Sequence, residues 1–444
     1  MRQKGIHPAA LLAAYVVIAL LPAGMAALQG LPPRPWRDEL ASGLALVGFA
    51  MLLLEFVLSG RFRWVSGRVG IDVTMRFHQL IGRVLAVFII VHPFLYSLPM
   101  SGPSARDPAG ETILNLSGLA LVTGAVAWLL LPALILTSMF RRDTGYSYET
   151  WRLMHGIGAA LIALLSLLHA LDAGRYSADP LLAGFWLLLT AAAMATLLHV
   201  YLLRPLMRRR HPYRVTSVEQ IATRSWQLAI EPQGDRAIDF KPGQFVWLTV
   251  GRSPFSFVEH PFSISSCPAD RPRIEFAIKQ AGDFTDQIGS IAPGARAYLD
   301  GPHGHLFIPR GHGAGITFIA GGVGMAPMMS MLRQLRAERD ERPLRLVYGN
   351  RVREQIMYAQ ELDDMASELD LRITHVLSEP AEGWRGETGM VDEALIRSLM
   401  AADDSDGRLY IICGPPPMID QVAAILRGFG VPRARILAEK FSYD

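Results

Sequence analysis

The sequence predicts a bundle of six membrane-spanning helices joined to a soluble half, which contains a small antiparallel β-barrel followed by an α/β domain. Three observations predict this fold class. The mean hydropathy of the 444 residues is +0.25, which is high for a soluble protein. Only 24 of the 83 charged residues lie within residues 1–203. The remaining residues alternate short apolar runs with Gly and Pro, as soluble strands and turns do.

The composition also excludes several classes of protein. Cys267 and Cys413 are the two cysteines, and both lie in the soluble half, so we expect no structural disulfide and a reducing compartment. A net charge of +3 is too small to indicate a nucleic-acid partner. Disordered, collagen-like and disulfide-stabilised proteins are excluded as well.

Six apolar stretches approach the roughly 20 residues that a helix needs to cross a bilayer. They lie near residues 9–29, 40–58, 77–98, 113–138, 153–170 and 181–203. The first follows Arg2 and Lys4, so a cleaved signal peptide is the alternative. Its apolar run is longer than is typical of such peptides, and no small-x-small cleavage site follows it, which favours a membrane span.

The basic residues near the span ends predict the orientation of the helices. Thirteen Lys and Arg residues lie on the side of the N-terminus and of the loops after spans 2, 4 and 6, against four on the opposite side. Because cytoplasmic loops carry the excess of basic residues, we expect both termini and the soluble half in the cytoplasm.

Two of the spans carry histidines with the same spacing. His78 and His92 lie in span 3, and His155 and His169 lie in span 5, fourteen residues apart in each case. At about 100° and 1.5 Å per residue, each pair shares one helix face and is separated by about 21 Å. Parallel spans would therefore offer two stacked pairs, His78 with His155 and His92 with His169, suited to bis-histidine ligation of two b-type haems. The alternatives are polar contacts between helices or a proton or metal path.

Short strands near residues 213–219, 226–231, 244–250 and 273–279 predict the antiparallel barrel. It carries two polar stretches, His260-Pro261-Phe262-Ser263-Ile264-Ser265-Ser266 and Lys279-Gln280-Ala281-Gly282-Asp283-Phe284-Thr285. Alternating hydroxyls on a strand can bond the edge of a planar ring, and a glycine turn with a nearby lysine can hold a pyrophosphate. Each stretch by itself is weak evidence.

After about residue 313 the pattern becomes that of an α/β domain. Three apolar strands, Ile316–Ala320, Leu344–Tyr348 and Leu409–Cys413, each lead into a turn containing glycine. The turns are Gly321-Gly322-Val323-Gly324-Met325-Ala326-Pro327, Gly349-Asn350-Arg351 and Gly414-Pro415-Pro416-Pro417-Met418. Because the carboxyl ends of parallel strands share one edge, where α/β domains bind ligands, the three turns predict a dinucleotide site. An ordinary tight turn is the alternative for each loop taken singly.

With these motifs together, residues 5–444 resemble the flavocytochrome superfamily of NADPH oxidases and ferric reductases, and are most similar to its single-chain bacterial NADPH oxidases. The resemblance rests on the paired His-x13-His helices, on HPFSISS and GDFT, on GGVGMAP and CGPPPM, and on an aromatic residue near the C-terminus. It implies a ferredoxin-reductase-like soluble module in a bacterial inner-membrane protein. We expect a di-haem membrane domain at 1–210, an FAD-binding barrel at 211–312 and an NAD(P)H-binding domain at 313–444.

The resemblance also implies roles for individual residues. The implied haem ligands are His78, His92, His155 and His169. The implied FAD site consists of His260, Pro261, Phe262, Ser263, Ser265, Lys279, Gly282 and Thr285. The implied nucleotide site consists of Gly322, Gly324, Pro327, Arg351, Gly414 and Pro415. Cys413 is implied to lie beside the nicotinamide ring, and Phe441 to stack over the isoalloxazine where nicotinamide must enter; these two are the implied catalytic residues.

The activity that the resemblance implies is transmembrane electron transfer from NADPH through FAD and two b haems to an acceptor on the outer side. We expect dioxygen as the acceptor, giving superoxide; a ferric chelate, and a periplasmic protein or quinone, are the alternatives, and a haem-free transporter is a more distant one. Tyr96 stands where the eukaryotic oxidases place another histidine, a departure that bears on the oxygen site. NADPH rather than NADH is favoured because Arg351 can bond a 2′-phosphate and residues 349–353 contain no acidic residue. Beyond the lipid bilayer, we expect no obligatory protein partner.

Overall fold

The computed structural model describes residues 6–97, 118–173, 175–309, 314–401 and 407–440. The chain divides into two compact units, Met1–Pro205 and Leu206–Asp444. Among the described residues of the N-terminal part, six helices are long and apolar enough to cross a membrane. The helices of this part are α1 Pro8–Ala27, α2 Trp36–Ser59, α3 Arg63–Val69, α4 Ile71–Ser97, α5 Gly118–Met139, α6 Tyr148–Ala173 and α7 Pro180–Leu198. The six predicted spans are confirmed, with the short helix α3 added between the second and the third.

Local sequence signals explain where several of these helices begin. Helix α7 starts at Pro180, and the side chain of Asp179 accepts hydrogen bonds from the amides of Leu181 and Leu182 at 3.0 and 3.1 Å. Proline in the first turn and an Asp cap are both favourable, because the first amides of a helix have no partner within it. Proline also occurs inside α1, α4 and α5, which membrane helices tolerate.

The membrane helices pack largely as two pairs. Helix α4 packs chiefly against α2, and α6 packs chiefly against α5. Helix α7 covers α2 through Trp186, which is fully buried and lies 4.7 Å from the ring of Phe49. The four predicted haem ligands are therefore carried by two different helix pairs, with His78 and His92 on α4 and His155 and His169 on α6.

Helix α8 Arg204–Arg209 contains the boundary between the two units, and the C-terminal unit continues with a six-stranded antiparallel sheet in the order β4-β3-β6-β1-β2-β5. Its strands are β1 Tyr213–Ala222, β2 Ser225–Pro232, β3 Phe245–Val250, β4 His260–Ser263, β5 Ile274–Lys279 and β6 Arg296–His303. A single bridge between Ile264 and Phe276 links the two edges, so the sheet curls towards a barrel. The predicted antiparallel fold of this region is confirmed.

The second sheet is parallel throughout, in the order β10-β9-β8-β7-β11-β12. Its strands are β7 Ile316–Gly321, β8 Leu344–Asn350, β9 Leu371–Leu377, β10 Glu387–Thr388, β11 Leu409–Cys413 and β12 Ile436–Ala438. Its helices are α10 Met325–Glu338, α11 Ala359–Glu368, α12 Glu393–Ala401 and α13 Pro416–Gly428; the four-residue α9 Asp283–Asp286 belongs to the first sheet's region. The chain order reverses between β7 and β11, the position at which doubly wound sheets bind ligands.

Candidate functional site

The two histidine-bearing helices bring their inner histidines face to face. The ring centroids of His78 and His155 are 6.3 Å apart, with an angle of 76° between the ring planes. His92 and His169, the second predicted pair, lie fourteen residues further along the same two helices. The structure therefore brings together His78 and His155, as the spacing predicts, and carries His92 and His169 on the same helices.

In all four histidines, the Nδ1 atom is occupied by a hydrogen bond to another part of the chain. The acceptors are a carboxylate oxygen of Glu55 for His78 at 2.7 Å, the hydroxyl of Ser138 for His155 at 3.1 Å, the carbonyl of Ile89 for His92 at 2.9 Å and the carbonyl of Ala120 for His169 at 2.9 Å. Ser138 donates its own proton to the Leu134 carbonyl, so its oxygen accepts from His155. These contacts place the proton on Nδ1 and leave the lone pair of Nε2 available.

A glycine on α5 allows one of these contacts. A Cβ added at Gly124 would lie 2.4 Å from Nδ1 of His169, closer than any real side chain comes. Only glycine leaves room for the His169 ring to lie against α5 and to reach the carbonyl of Ala120. A larger residue at position 124 would move this ring.

These residues fit a pair of haem groups. Two imidazoles that bind one metal ion from opposite sides have ring centroids roughly 6 Å apart, since a metal–nitrogen bond is about 2 Å long. Histidines that bind metals also donate the second ring N–H to a carboxylate, a carbonyl or another polar group. His78 and His155 have both the expected centroid distance and the hydrogen bond from the second ring N–H. His92 and His169 have that hydrogen bond. Across the described ranges, no group of three or more His, Cys, Asp or Glu side chains could hold a bare metal ion.

Strand β4 presents the predicted flavin residues. The ring of His260 stacks on Phe284 of α9 with centroids 4.3 Å apart, and Phe262 lies 6.1 Å from the same phenyl ring. Pro261 and Ser263 are also partly exposed on this strand. Three neighbouring rings and an accessible hydroxyl fit a planar aromatic cofactor. Phe284 is a candidate that the sequence analysis missed, although it lies inside the GDFT motif.

Three of the other predicted flavin residues lie where β5 ends. Lys279 is its last residue, and Gly282 precedes α9. The Thr285 hydroxyl accepts a hydrogen bond from the amide of Ala281 at 2.8 Å and donates one to the carbonyl of Gly282 at 3.0 Å, so it closes the turn. In contrast, Ser265 is fully buried, which leaves Ser263 as the accessible hydroxyl of the pair.

The glycine-rich turns after β7 and β11 touch each other. A Cβ at Gly324 would lie 2.2 Å from the carbonyl oxygen of Cys413 and 2.8 Å from the amide nitrogen of Gly414, so glycine is required there. Gly322 has a φ of +52° and lies next to the flavin-side lysine, because a Cβ on it would be 3.9 Å from Nζ of Lys279. The predicted flavin and nucleotide residues therefore meet within the C-terminal unit. Pro327 is buried in the first turn of α10, whereas Pro415 is exposed.

Cys413 is buried at the end of β11. Burial raises the pKa of its thiol, and the carboxylate of Glu439 adds to the shift, so the thiol stays protonated at neutral pH. Glu439 is a second candidate that sequence reasoning missed, since its position beside Cys413 depends on the parallel pairing of β11 with β12. Phe441 lies outside the described residues.

Arg351, which follows β8, forms an ion pair at the edge of the sheet. Its Nε atom lies 2.8 Å from a carboxylate oxygen of Glu379, and the side chains are 67% and 58% exposed. The amide of Glu379 also donates to the carbonyl of Arg351 at 2.8 Å. The acidic residue that is missing from the turn in sequence is thus supplied by the segment following β9.

Helix α10 fastens the nucleotide sheet to the barrel. The guanidinium of Arg333 lies 2.8 Å from Glu275 on β5 and 2.7 Å from Glu361 on α11, and it donates to the carbonyl of Ser265 at 3.1 Å. One turn earlier, Ser330 donates to the carbonyl of Ser266 at 2.6 Å. These contacts hold the HPFSISS segment against the nucleotide-binding half.

Comparison with known families agrees with this division of the chain. Residues 44–166 match the model of the ferric reductase like transmembrane component, residues 228–294 match an FAD-binding domain, and residues 318–424 match an oxidoreductase NAD-binding domain. The three matches cover α4 and most of α6, up to residue 166 and so without His169, together with the β4–α9 region and the glycine-rich turns.

Relatives among characterised proteins match about half of the chain. The reductase component of propane 2-monooxygenase from Mycolicibacterium goodii is 31% identical over 48% of this chain, which spans 63% of that protein. Ferredoxin–NADP reductase B from Sorangium cellulosum is 30% identical over 51% of this chain and is covered over 96% of its own length. Among solved structures, the cytochrome b5 reductase domain of Ulva prolifera nitrate reductase has a TM-score of 0.46 at 17% identity, covering 52% of this chain and 98% of that domain.

Proposed function

Because this chain belongs to the ferric reductase and NADPH oxidase-like family of membrane oxidoreductases, with an FAD-binding and an NAD-binding domain, we propose that it transfers electrons across the bacterial inner membrane. The donor is cytosolic NADPH, the carriers are FAD and two b-type haems, and the acceptor lies on the outer side. When bound, FAD links hydride chemistry to single-electron chemistry, and haem iron carries single electrons.

One observation carries this proposal, the opposed His78 and His155 rings with centroids 6.3 Å apart. The four histidines would hold two haems through Nε2, while their Nδ1 hydrogen bonds fix the ring orientations. The α4 and α6 helices would thus supply one histidine each to both groups.

In the C-terminal unit, the surface formed by His260, Phe262 and Phe284 holds the flavin ring, and Ser263 bonds its edge. Lys279, Gly282 and Thr285 contribute to the pyrophosphate site. The turns at 322–327 and 414–415 would hold the nicotinamide dinucleotide, and the neutral Cys413 would lie beside the nicotinamide ring; the resemblance also assigns Phe441 to this site. These assignments follow from the resemblance and from the contact between the two turns.

We propose dioxygen as the acceptor, with superoxide as the product. The described connection from α1 to α2, on the proposed outer side, is a short loop, which favours a small acceptor over a docked protein. Reduction of a ferric chelate is the second candidate, favoured by the matched ferric reductase like transmembrane component. Neither activity requires a further protein partner.

The test begins with the haem content of the purified full-length protein. We expect two b haems per chain by the pyridine haemochromogen assay, and about one in His92→Leu. His199→Leu is the matched control, because His199 lies near a span end and contacts Phe62 with centroids 5.5 Å apart instead of facing another histidine; it should retain both haems. Fewer than about one haem per chain in the unsubstituted protein would contradict the proposal.

The acceptor is tested with the same preparation. NADPH-driven reduction of cytochrome c that superoxide dismutase abolishes would support dioxygen as the acceptor. Faster turnover with a ferric chelate under anaerobic conditions, with no superoxide in air, would replace dioxygen by the second candidate.

A further inference from the structure

A buried carboxylate lies within the membrane unit beside one of the proposed haem ligands. Glu55 is on α2, among apolar residues, and its relative exposure is 5%. Ionisable side chains within membrane helices are costly and are usually kept for a function.

Both carboxylate oxygens of Glu55 accept a hydrogen bond. One lies 2.7 Å from Nδ1 of His78 on α4, and the other accepts from the hydroxyl of Tyr15 on α1 at 3.1 Å. The Tyr15 ring is itself held edge-on against Phe77, with centroids 5.1 Å apart. Three helices therefore fix the position of the carboxylate, and it points at the ring of His78.

The other three histidines have weaker acceptors. His92 and His169 donate to backbone carbonyls, and His155 donates to the hydroxyl of Ser138. The pair formed by His78 and His155 thus contains a carboxylate-bonded imidazole, whereas the pair nearer the outer side contains none. This asymmetry distinguishes two sites whose histidine spacing is identical.

Resting on the proposed function, we infer that Glu55, oriented by Tyr15, is a positioning residue that makes His78 a more strongly donating iron ligand and gives the inner haem the lower reduction potential of the two. A carboxylate that accepts the second N–H of a ligating imidazole raises the basicity of that ligand. A more basic ligand and a nearby negative charge both favour the ferric over the ferrous state. Backbone carbonyls, which carry no net charge, have a smaller effect.

The test is a potentiometric titration of the full-length protein, followed by haem absorbance. Glu55→Gln keeps the size of the side chain and removes its charge. We expect the reduction potential of one of the two haem components to rise. The equilibrium constant for its reduction should increase at least tenfold, which corresponds to about 59 mV for one electron. Repeating the substitution in the His92→Leu background, which retains only the inner haem, should show the same shift in the remaining component.

Glu39→Gln provides the matched control, because Glu39 lies near the start of α2 and pairs with Arg34 and Tyr176 instead of a haem ligand. Glu39→Gln should leave the reduction potentials of both haem components unchanged. If Glu55→Gln does not retain the inner haem, Tyr15→Phe gives the test, since it removes one hydrogen bond and leaves the carboxylate in place; we expect a smaller shift of the same component.

Failure of the inference can be distinguished from failure of the proposed function. An unsubstituted protein with fewer than about one haem per chain overturns the proposed function. A protein with two haems whose potentials are unchanged both in Glu55→Gln and in Tyr15→Phe overturns the inference and leaves the proposed function standing.

Discussion

The guanidinium of Arg351 is paired with the carboxylate of Glu379 at the edge where the adenosine ribose of a dinucleotide should lie. Arginine favours a 2′-phosphate, whereas an acidic residue favours a free 2′-hydroxyl. Because both side chains are mostly exposed, their mutual attraction is weak and the pair can open for a phosphate. The proposed preference for NADPH over NADH would therefore depend on the balance between these two residues.

Substitutions of Arg351 and of Glu379 should change the preference between NADPH and NADH in opposite directions. Arg351→Ala should raise the Michaelis constant for NADPH about tenfold, since a charged hydrogen bond contributes about 1.5–3 kcal/mol, and should barely affect NADH. Glu379→Gln should lower the constant for NADPH. Steady-state kinetics of both variants with both cofactors provide the measurement, and equal losses for NADPH and NADH would show that neither residue reads the phosphate.

Single residues differ in how well the sequence predicted them. The four histidines could be predicted because helical periodicity converts a spacing of fourteen into a shared face. Glu55 and Glu439 could not, since each acts through a neighbour that only the tertiary structure supplies, His78 from another helix and Cys413 from another strand. The role of Glu379 could not be predicted for the same reason. Its contact with Arg351 exists because β8 and β9 pair in parallel, which brings together the segments that follow them.

At the scale of elements, helix α10 carries the contact between the two sheets of the C-terminal unit through Arg333. Its guanidinium is 14% exposed and pairs with two carboxylates, Glu275 and Glu361; removing it breaks both pairs, although Glu275 keeps a second pair with Arg273 at 2.9 Å. Breaking such a buried ion pair costs about 3 kcal/mol or more. The same side chain also lies over the ring of Tyr358, 5.2 Å from its centroid.

Arg333→Met should therefore lower the thermal midpoint of the soluble module by roughly 6–12 °C, given about 2–4 °C per kcal/mol for a unit of this size. Arg336→Met is the control on the same helix, because its partner Glu368 lies on the surface; its midpoint should change little. Differential scanning calorimetry gives both values. Equal effects of the two substitutions would mean that Arg333 has no special role in joining the halves.

The apolar helices and most strands were predictable, because a hydropathy window of 20 residues and an alternating pattern are local signals. The barrel was predicted from its short alternating strands, whereas the bridge between Ile264 and Phe276 that links its edges could be identified only from the tertiary structure. The requirement for glycine at positions 124 and 324 could not be predicted either. In both cases a side chain would clash with a residue distant in sequence, His169 or Cys413.

At the scale of the whole molecule, the division at Pro205 and Leu206 separates a membrane unit from a unit with its own two sheets and buried cores. Ferredoxin–NADP reductase B from Sorangium cellulosum is a separate protein, and about half of this chain covers 96% of its length. The C-terminal unit should therefore be able to fold and work without the membrane helices.

Residues 211–444, produced alone, should be soluble, bind FAD and pass electrons from NADPH to an artificial dye. Cys413→Ser in this fragment should keep FAD bound, because the residue packs at the nucleotide-side turns, and should slow dye reduction. Flavin absorbance after gel filtration and the rate of dye reduction are the two measurements. A fragment that retains flavin yet gives no NADPH-dependent rate would contradict the assignment of the nucleotide domain.

The pairing of α4 with α2 and of α6 with α5 has a consequence for how much of the protein a cell accumulates. Each proposed haem takes one histidine from α4 and one from α6, so each joins one helix pair to the other, and ligand binding adds to the stability of the folded state. Membrane protein that is made faster than haem is supplied would lack this connection and would be exposed to quality-control proteases. The abundance of the enzyme would then follow the haem supply of the cell, in addition to the rate of its own synthesis.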